Sequence, residues 1–382
     1  MTLDAEQPTN GKGEMKPYFT SISYFPDGKQ MVAGSTDNSA RRWDLQTGKE
    51  IVEARIVCER EVWAAAVSRD SQWVVTGGGD WNSDDVGELI AYEVETGVMK
   101  TFEGHSKVVT CIDVSADNKL LASGSWDHTA RIWDLNTGKL VAGPFECVDS
   151  GVGAVRFSQD SKKLAVKSGY RKRCLEVWDI QEQKLNHRVG KGGGSIMPDT
   201  PVFWTTNDRS IVAAFRFEAD SKHPTKIYEF DASTLETVGA PFEGHTYAIT
   251  DVALSFDCAL LANASNYDNT IKLWAFESRQ LLASFDVHSL RTLILSPNSR
   301  QLAYTEYDQP KIHVCDIPSD ILTRLWPEQA TCSVCILTAY IHLLSTNSSC
   351  RSLRLNIRTT LNHSTYVILF FHPSLSFIIH LL

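Results

Sequence analysis

Basic charge and secretory features are scarce in this 382-residue chain. Lys and Arg total 37 against 46 Asp and Glu, which gives a formal net charge of −9 at pH 7. Because nonspecific nucleic-acid binding depends on basic side chains that displace counterions from phosphates, we expect no nucleic-acid partner. The polar residues 1–17 contain no apolar core of signal-peptide length, so we expect a cytoplasmic or nuclear protein that is not secreted.

Signatures of metal, redox and hydrolytic chemistry are also missing from the sequence. The nine cysteines are odd in number and scattered, mostly through apolar runs, as small buried side chains are. Cys332 and Cys335 form a lone Cys-x-x-Cys without the further ligands of a structural zinc site. No His-Glu-x-x-His and no nucleophile-elbow serine occurs. We therefore predict no catalytic residue, no metal and no cofactor.

The chain does contain a repeated turn between two apolar runs. Its Asp, Asn, Gly and Ser residues tolerate left-handed backbone or bond to the local backbone. The steps between successive turns are 43, 47, 43, 48, 49 and 41 residues, and a period in the forties with four short β runs is typical of a propeller blade. The turns are Pro26–Lys29, Arg69–Gln72, Ala116–Lys119, Gln159–Lys162, Asn207–Ser210, Phe256–Ala259 and Pro297–Arg300.

A second recurring mark, a mostly aromatic position in the third apolar run of every unit, repeats at the same spacing as the turns. Together the two marks predict an all-β fold, a single seven-bladed β-propeller of four-stranded antiparallel blades over residues 18–326. We expect residues 1–17 to be polar and disordered, and Asp320–Trp326 to complete the last blade. The positions of the second mark are Trp43, Tyr92, Trp133, Trp178, Tyr228, Trp274 and Cys315.

Residues 327–382 differ in composition from the repeats and are predicted to form an extra, non-propeller C-terminal tail. They contain no Gly and no Asp, so the turn chemistry of the repeats is gone. The apolar run that starts at Tyr366 is broken by His372, Pro373 and Ser374, whereas a membrane-spanning helix needs about 20 apolar residues. A poorly folded tail is therefore the favoured interpretation, and a membrane anchor is the alternative.

The unit at residues 103–145 resembles the WD-repeat (WD40) β-propeller family. It opens with Gly104-His105 and its third run ends with Trp133-Asp134; the chain as a whole resembles uncharacterised seven-repeat WD proteins from fungi. The resemblance implies a buried polar network that holds the blade together, with a partial copy in the sixth unit. The residues of this structural network are His105, Ser123, Asp127 and Trp133, with His245, Asp268 and Trp274 in the partial copy.

The same resemblance implies that the face carrying the His and Asp loops is the docking face. Trp126 and Tyr267 precede the turn aspartates and are expected to be exposed there, and Trp63 and Arg291 occupy a place that lines the channel mouth in the family. For Trp63, packing between blades is an equal alternative. Aromatic residues and Arg dominate binding energy at interfaces. The predicted partner-binding residues are Trp63, Trp81, Trp126, Tyr170, Arg171, Tyr267 and Arg291.

The sequence thus favours a non-catalytic scaffold that binds other proteins or peptides, with its oligomeric state left open. One alternative is a ubiquitin-ligase substrate receptor, but the Arg that this variant carries two residues after Trp-Asp is replaced by Gln46, Asn136 and Gln181. Another is an enzyme or small-molecule binder with a site in the central channel. A membrane partner is expected only if the tail is an anchor.

Overall fold

The computed structural model describes residues 1–4, 17–52, 56–81, 86–147, 151–168, 174–190, 200–215, 217, 226–307, 309–326, 366–372 and 375–381. The chain divides into two compact units, Met1–Leu325 and Trp326–Leu382.

The first unit is the predicted seven-bladed propeller of antiparallel sheets. Its first strand, β1 (Thr2–Asp4), belongs to the last blade. In blade 1 two short strands share the outer position. Blade 1 contains β2 (Phe19–Tyr24), β3 (Gln30–Ser35), β4 (Ser39–Asp44), β5 (Lys49–Glu50) and β6 (Ile56–Val57). Blade 2 contains β7 (Val62–Val67), β8 (Trp73–Gly78), β9 (Glu88–Glu93) and β10 (Met99–Thr101). Blade 3 contains β11 (Val109–Val114), β12 (Leu120–Ser125), β13 (Thr129–Asp134) and β14 (Leu140–Glu146).

Blades 4 to 7 repeat this plan, except that the outer position of blade 5 is filled through the isolated bridges Ile227↔Phe242 and Phe230↔Thr237. Neighbouring first strands contact one another, so they form the inner ring of the propeller. The strands are β15 (Val152–Phe157), β16 (Lys163–Ser168), β17 (Cys174–Asp179) and β18 (Lys184–Val189); β19 (Val202–Trp204), β20 (Ser210–Phe215) and β21 (Lys226–Asp231); β22 (Asp251–Leu254), β23 (Leu260–Ser265), β24 (Thr270–Ala275) and β25 (Gln280–Asp286); and β26 (Leu290–Leu295), β27 (Gln301–Glu306) and β28 (Lys311–Asp316).

The seven predicted turns join the first and second strands of the seven blades. In five of them the hydroxyl of a serine before the turn donates a hydrogen bond to the side chain of the turn Asp or Asn. The same hydroxyl accepts a hydrogen bond from the backbone amide at the start of the next strand. Ser115, for example, bonds to Asp117 (2.6 Å) and to the amide of Leu120 (2.9 Å). Each turn contains one left-handed residue, with φ between 52° and 68°. Those residues are Gly28, Ser71, Asn118, Ser161, Asp208, Cys258 and Ser299.

The apolar core lies between neighbouring blades, so no blade buries its faces alone. Trp73 and Leu89 of blade 2 pack in one cluster with Leu121 and Trp133 of blade 3. Trp43 and Trp133, two of the residues that mark the repeat, are among the largest fully buried side chains of the described residues. Their spacing in the sequence is therefore a packing requirement of the fold.

The last blade is closed by the N-terminus, which corrects the expectation that Asp320–Trp326 would close it. β1 pairs antiparallel with β28, Leu3 lies opposite Ile312, and the Leu3 side chain is fully buried. Thr2–Asp4 are thus a strand, not part of a disordered segment; the remaining residues of that prediction up to 16 lie outside the described part of the chain. A strand can complete a sheet edge with only a few backbone hydrogen-bonding groups and one apolar side chain. So short a strand is not visible in the polar composition of residues 1–17.

Residues Ser319–Leu325 form a helix, α1, instead of the predicted strand. Asp320 lies in the first turn and Arg324 in the last, where each charge is favourable to the helix dipole, and their side chains are 3.4 Å apart. The partly buried Leu325 follows the buried Ile321 by four residues, which is the helical period and not the period of two that a strand requires.

The second unit contains a two-stranded antiparallel hairpin of β29 (Tyr366–His372) and β30 (Leu375–Leu381). No helix in the described part of the chain is long and apolar enough to cross a membrane.

Candidate functional site

Two kinds of loop meet at one end of the propeller. Because successive strands of a blade are antiparallel, the loops that enter the first strand and the loops between the second and third strands lie at the same end. We call this end the loop face. The turns between first and second strands lie at the opposite end, which we call the turn face.

Blade 3 holds its two loops together through the predicted polar network. His105 Nδ1 lies 2.8 Å from Asp127 Oδ2, and His105 Nε2 lies 2.7 Å from the Ser123 hydroxyl, which also accepts a hydrogen bond from Trp133 Nε1 at 2.9 Å. Burial opposes the charge of Asp127, but hydrogen bonds and charge attraction from His105, with further bonds from Thr129, outweigh it and lower the pKa of Asp127. The polar side chains of this network thus satisfy one another's hydrogen-bonding groups.

Other blades carry reduced versions of this network. In blade 6, His245 Nδ1 lies 3.1 Å from Asp268 Oδ2, and Trp274 Nε1 donates to Asn263 Oδ1 at 2.9 Å, where blade 3 has serine. Burial lowers the pKa of His245 although Asp268 opposes that shift. In blade 1 the Asp37 carboxylate is bound by the buried Arg41 guanidinium instead of a histidine. In each case the polar side chains hold loops in place.

Three tryptophans form a continuous line of rings on the loop face. The Trp63 and Trp81 centroids are 5.3 Å apart with planes at 84°, and Trp81 and Trp126 are 5.0 Å apart at 85°. Trp63 Nε1 donates to the Gly79 carbonyl at 3.1 Å, which fixes the first ring. A Cβ at Gly151 would lie 3.1 Å from the Trp126 ring, so glycine allows the next blade to pack against the last ring.

An arginine of blade 7 extends this line of rings beyond Trp63. Arg291 of blade 7 places its Cζ atom 5.7 Å from the Trp63 centroid and 5.1 Å from that of Tyr307, and its Nη1 donates to the Tyr307 hydroxyl at 2.8 Å. The Tyr307 ring lies 5.9 Å from Tyr18. Between blades 7 and 2, blade 1 contributes the small Thr20, whose hydroxyl donates to the Val62 carbonyl next to Trp63. We call the set of Tyr18, Trp63, Trp81, Trp126, Arg291 and Tyr307 the aromatic row.

The structure brings four of the predicted partner-binding residues into this row: Trp63, Trp81, Trp126 and Arg291. Trp81 is 39% exposed, but Trp126 is half-buried, which corrects the expectation that it is exposed, because Trp81 and Gly151 cover it. Tyr267 is 59% exposed and lies apart from the row, paired with Tyr247 at 6.3 Å. Tyr170 and Arg171 lie outside the described residues.

Tyr307 and Tyr18 were not among the predicted site residues. Tyr307 directly follows the second strand of blade 7, which is the place of Trp126 in blade 3. The rule that selected Trp126 and Tyr267, an aromatic residue directly before the loop aspartate, also applies to Tyr307-Asp308. Tyr18 stands just before the first strand of blade 1, and no sequence rule singles it out.

Two carboxylates border the tryptophan part of the row. The Gly79 amide donates to the Glu61 carbonyl at 3.1 Å, which brings the backbone of Glu61 next to that of Asp80. Both side chains are half-buried. Burial, and secondarily the charge of Asp80, raise the pKa of Glu61. In the part of the chain that the structure describes, no group of three or more His, Cys, Asp or Glu is placed to hold a metal ion.

Comparison with known proteins agrees with this geometry. The family model described as WD domain, G-beta repeat matches residues 12–44, 97–134 and 236–275, which fall on blades 1, 3 and 6. The chain is 26% identical to WD repeat-containing protein fzy-1 of Caenorhabditis elegans over 252 residues, which is 59% of this chain and 48% of that protein. It is 34% identical to the ribosome biogenesis protein WDR12 homolog of Drosophila persimilis over 267 residues, 66% of this chain and 51% of that protein.

A third relative is an uncharacterized WD repeat-containing protein of Schizosaccharomyces pombe, 27% identical over 201 residues, 48% of this chain and 49% of that protein. The chain thus spans about half the length of these three relatives. The seven antiparallel blades, the His–Ser–Asp–Trp network of blade 3 and the matched repeats lead to one conclusion. This chain is a member of the WD40-repeat β-propeller family.

Proposed function

We propose that this protein is a non-catalytic scaffold whose loop face binds a protein or peptide through the aromatic row. The observation that carries the proposal is the row itself, a line of tryptophan rings extended by Arg291 of blade 7, in which Trp81 is 39% exposed. Tryptophan, tyrosine and arginine are the residues in which binding energy at interfaces concentrates.

The row is held in place before any partner binds. The Trp63 indole is fixed by its bond to the Gly79 carbonyl, and Arg291 is fixed by the Tyr307 hydroxyl. A binding surface that is already ordered loses little side-chain entropy on association, so more of the contact energy appears as affinity. One relative is named as a ribosome biogenesis protein, which supports a role for this chain in an assembly of several components.

The thiols favour a reducing compartment, and we place the protein in the cytoplasm or nucleus as part of this proposal. Burial raises the pKa of Cys58 to about 11, and it also raises the pKa of Cys147 and Cys258. All three are thiols in the structure. Secreted domains usually use cysteine in disulfides, whereas cytosolic proteins keep it reduced.

The test is quantitative affinity purification of tagged full-length chain carrying Trp81→Ala, Trp81→Phe or Phe256→Ala. Phe256 is a matched control because it is a 68% exposed aromatic residue on the turn face. We expect Trp81→Ala to reduce recovery of the specific partners at least about tenfold, Trp81→Phe to reduce it less, and Phe256→Ala to leave it unchanged. Equal recovery with Trp81→Ala and with wild type, at unchanged melting temperature, contradicts the assignment of the row.

A further inference from the structure

We infer that the aromatic row recognises a proline-rich segment in the polyproline II conformation, with prolines packed on the tryptophan rings and backbone carbonyls bound by side chains of the row. This inference rests on the proposed function and specifies the chemistry of the partner. The shape of the row, its hydrogen-bond donors and the balance of charge around it carry the inference together.

The row is long and narrow, so it fits an extended segment. Its successive members follow one another at 5.0 to 5.9 Å. The three tryptophan centroids span at most about 10 Å, and one three-residue turn of polyproline II rises by about 9 Å. Trp81 meets the rings on either side at 84° and 85°, which leaves an angular notch next to each. Proline-rich segments dock in aromatic-lined grooves of this kind.

Side chains of the row offer hydrogen-bond donors for which the protein supplies no acceptor. Among the described residues, neither the Trp81 indole N–H nor the Tyr18 hydroxyl has a hydrogen-bond partner, and burial raises the pKa of Tyr18, so its hydroxyl keeps its proton. The Tyr307 oxygen accepts a bond from Arg291, and its own proton has no acceptor in the same part of the chain. A polyproline II segment carries backbone carbonyls without internal partners, and its prolines have no N–H that needs an acceptor.

The backbone of the row does not offer the sheet edge that a β-strand partner would need. Trp63 is the one ring of the row that belongs to a strand, and the other four stand in loops. The backbone beside them is already bonded, since the Trp126 amide donates to the Val108 carbonyl at 3.0 Å and the Gly79 carbonyl accepts the Trp63 indole. Recognition therefore falls to side chains, which suits a segment that needs no strand pairing.

Charge around the row is of both signs and does not select a charged partner. The basic residues and Asp80 each interact with other groups of the protein. What remains for a partner is an apolar surface, in which Trp81 is 39% exposed and Val86 of the same loop is 64% exposed. An uncharged, proline-rich segment matches such a surface. The charged residues beside the tryptophans are Glu61, Asp80, Arg60, Lys107 and Arg291.

Selection from a random peptide library tests the inference without a known partner. Displayed peptides are selected on full-length chain, and those that still bind Trp81→Ala are removed. We expect the remaining peptides to be enriched in proline, with pairs of prolines three residues apart, and not in charged residues. For a selected peptide, replacement of its prolines by alanine should weaken the Kd at least about tenfold, because the segment loses its preformed conformation and its ring contacts.

Variants that keep a ring but lose a donor test the hydrogen bonds. Trp81→Phe and Tyr18→Phe should each weaken the Kd of that peptide about three- to tenfold, because each removes one hydrogen bond. Tyr247→Phe is the matched control, since Tyr247 is a 58% exposed tyrosine of the loop face that pairs with Tyr267 and not with the row. It should leave the Kd unchanged. Added salt should change the wild-type Kd by less than about twofold.

The outcomes separate this inference from the proposed function. Peptides that depend on Trp81 but are not enriched in proline, or that tolerate alanine at every proline, overturn the proline-rich partner and leave the scaffold standing. Equal Kd values for wild type, Trp81→Phe and Tyr18→Phe overturn it as well. If no selected peptide depends on Trp81, the inference fails, and the affinity purification alone decides the proposed function. Self-association that is lost in Trp81→Ala, seen by sedimentation, assigns the row to a second copy of this chain and also overturns the inference.

Discussion

At the scale of single residues, the Ser123 hydroxyl serves two buried partners at once, His105 and Trp133. Replacement by alanine leaves one histidine nitrogen and one indole N–H buried without that partner. An unsatisfied buried polar group costs about 1–3 kcal/mol, so we expect Ser123→Ala to lower the free energy of unfolding by roughly 2–4 kcal/mol. Urea denaturation followed by tryptophan fluorescence measures this change.

Ser106 provides the matched control for that substitution. It lies in the same loop as His105, but its side chain is exposed and only its backbone amide binds Asp127. Ser106→Ala should therefore change the free energy of unfolding by less than about 0.5 kcal/mol. If Ser123→Ala is as mild as Ser106→Ala, the blade 3 network contributes no stability and its structural role is wrong.

Asp251 makes the stability of the propeller depend on pH. Its carboxylate accepts the Leu293 amide at 2.6 Å and the Val252 amide at 2.7 Å, and burial raises its pKa from 3.8 to about 6. Because the folded pKa lies above the unfolded one, this contribution to stability is fully present below about pH 4 and is lost as pH rises through 6.

The corresponding measurement compares wild type with Asp251→Asn by chemical denaturation from about pH 4 to about pH 7. The wild-type free energy of unfolding should fall relative to that of the variant over this window, by at most about 3 kcal/mol. Asparagine does not titrate, and other groups cancel in the difference. A difference that is constant or rises with pH contradicts the shifted pKa of Asp251.

At the scale of the blade, comparison of blades 1 and 3 identifies a missing hydrogen bond. Trp43 pairs with Met31 as Trp133 pairs with Leu121, so Ala33 stands where Ser123 stands. No hydrogen-bond acceptor for the buried Trp43 Nε1 is present among the described residues. Ala33→Ser should supply one and raise the free energy of unfolding by about 1 kcal/mol, measurable by urea denaturation.

A double-mutant cycle with Trp43→Phe isolates that bond. Phenylalanine keeps a ring in the core but has no N–H, so in this background Ala33→Ser should give no gain. A gain of the same size in both backgrounds would mean that the serine acts through something other than the Trp43 indole.

The repeated elements could be predicted because their causes are local. Each turn needs a residue that tolerates positive φ beside an Asp or Asn, and the positions of Gly28, Asn118 and Ser299 show this directly in the sequence. Helix α1 was predicted as a strand because it has only seven residues, and the spacing of its apolar side chains fits both the period of a helix and the period of a strand. Packing of Ile321 against the unit, which only the tertiary structure shows, decides between them.

The aromatic row could be predicted only in part. Trp63 and Arg291 were selected because they occupy equivalent places in two units, and Trp81 and Trp126 because their loops lie on one face. That Arg291 reaches Trp63 depends on the distance across blade 1, which no single unit encodes. The repeat thus predicts which face a residue lies on, and inter-blade geometry decides which residues touch.

At the scale of the whole molecule, the Leu3 side chain stabilises the closure of the propeller between blades 7 and 1. It is fully buried in one cluster with Phe19 and Trp43 of blade 1 and with Ile312 and Val314 of blade 7. Leu3→Ala should lower the free energy of unfolding by about 2–5 kcal/mol, because a core side chain is lost and a cavity remains. The change is measured by thermal and urea denaturation of the full chain.

Asp4 is the control for Leu3, since it belongs to the same strand but is exposed and lies 3.8 Å from Lys311. Asp4→Ala should change stability by no more than about 1 kcal/mol. Equal effects of the two substitutions would show that closure depends on the backbone pairing of β1 alone and not on the buried leucine.

Pairing of β1 with β28 also determines when the ring can close during synthesis of the chain. Thr2 lies opposite His313, so β1 acquires its partner only after the more than three hundred residues between the two strands have been synthesised. Contacts so distant in sequence form slowly, and until they form the edge of the last blade is open to pairing with other chains. The ring is therefore completed late, and the interval before completion is when this protein most needs protection from aggregation.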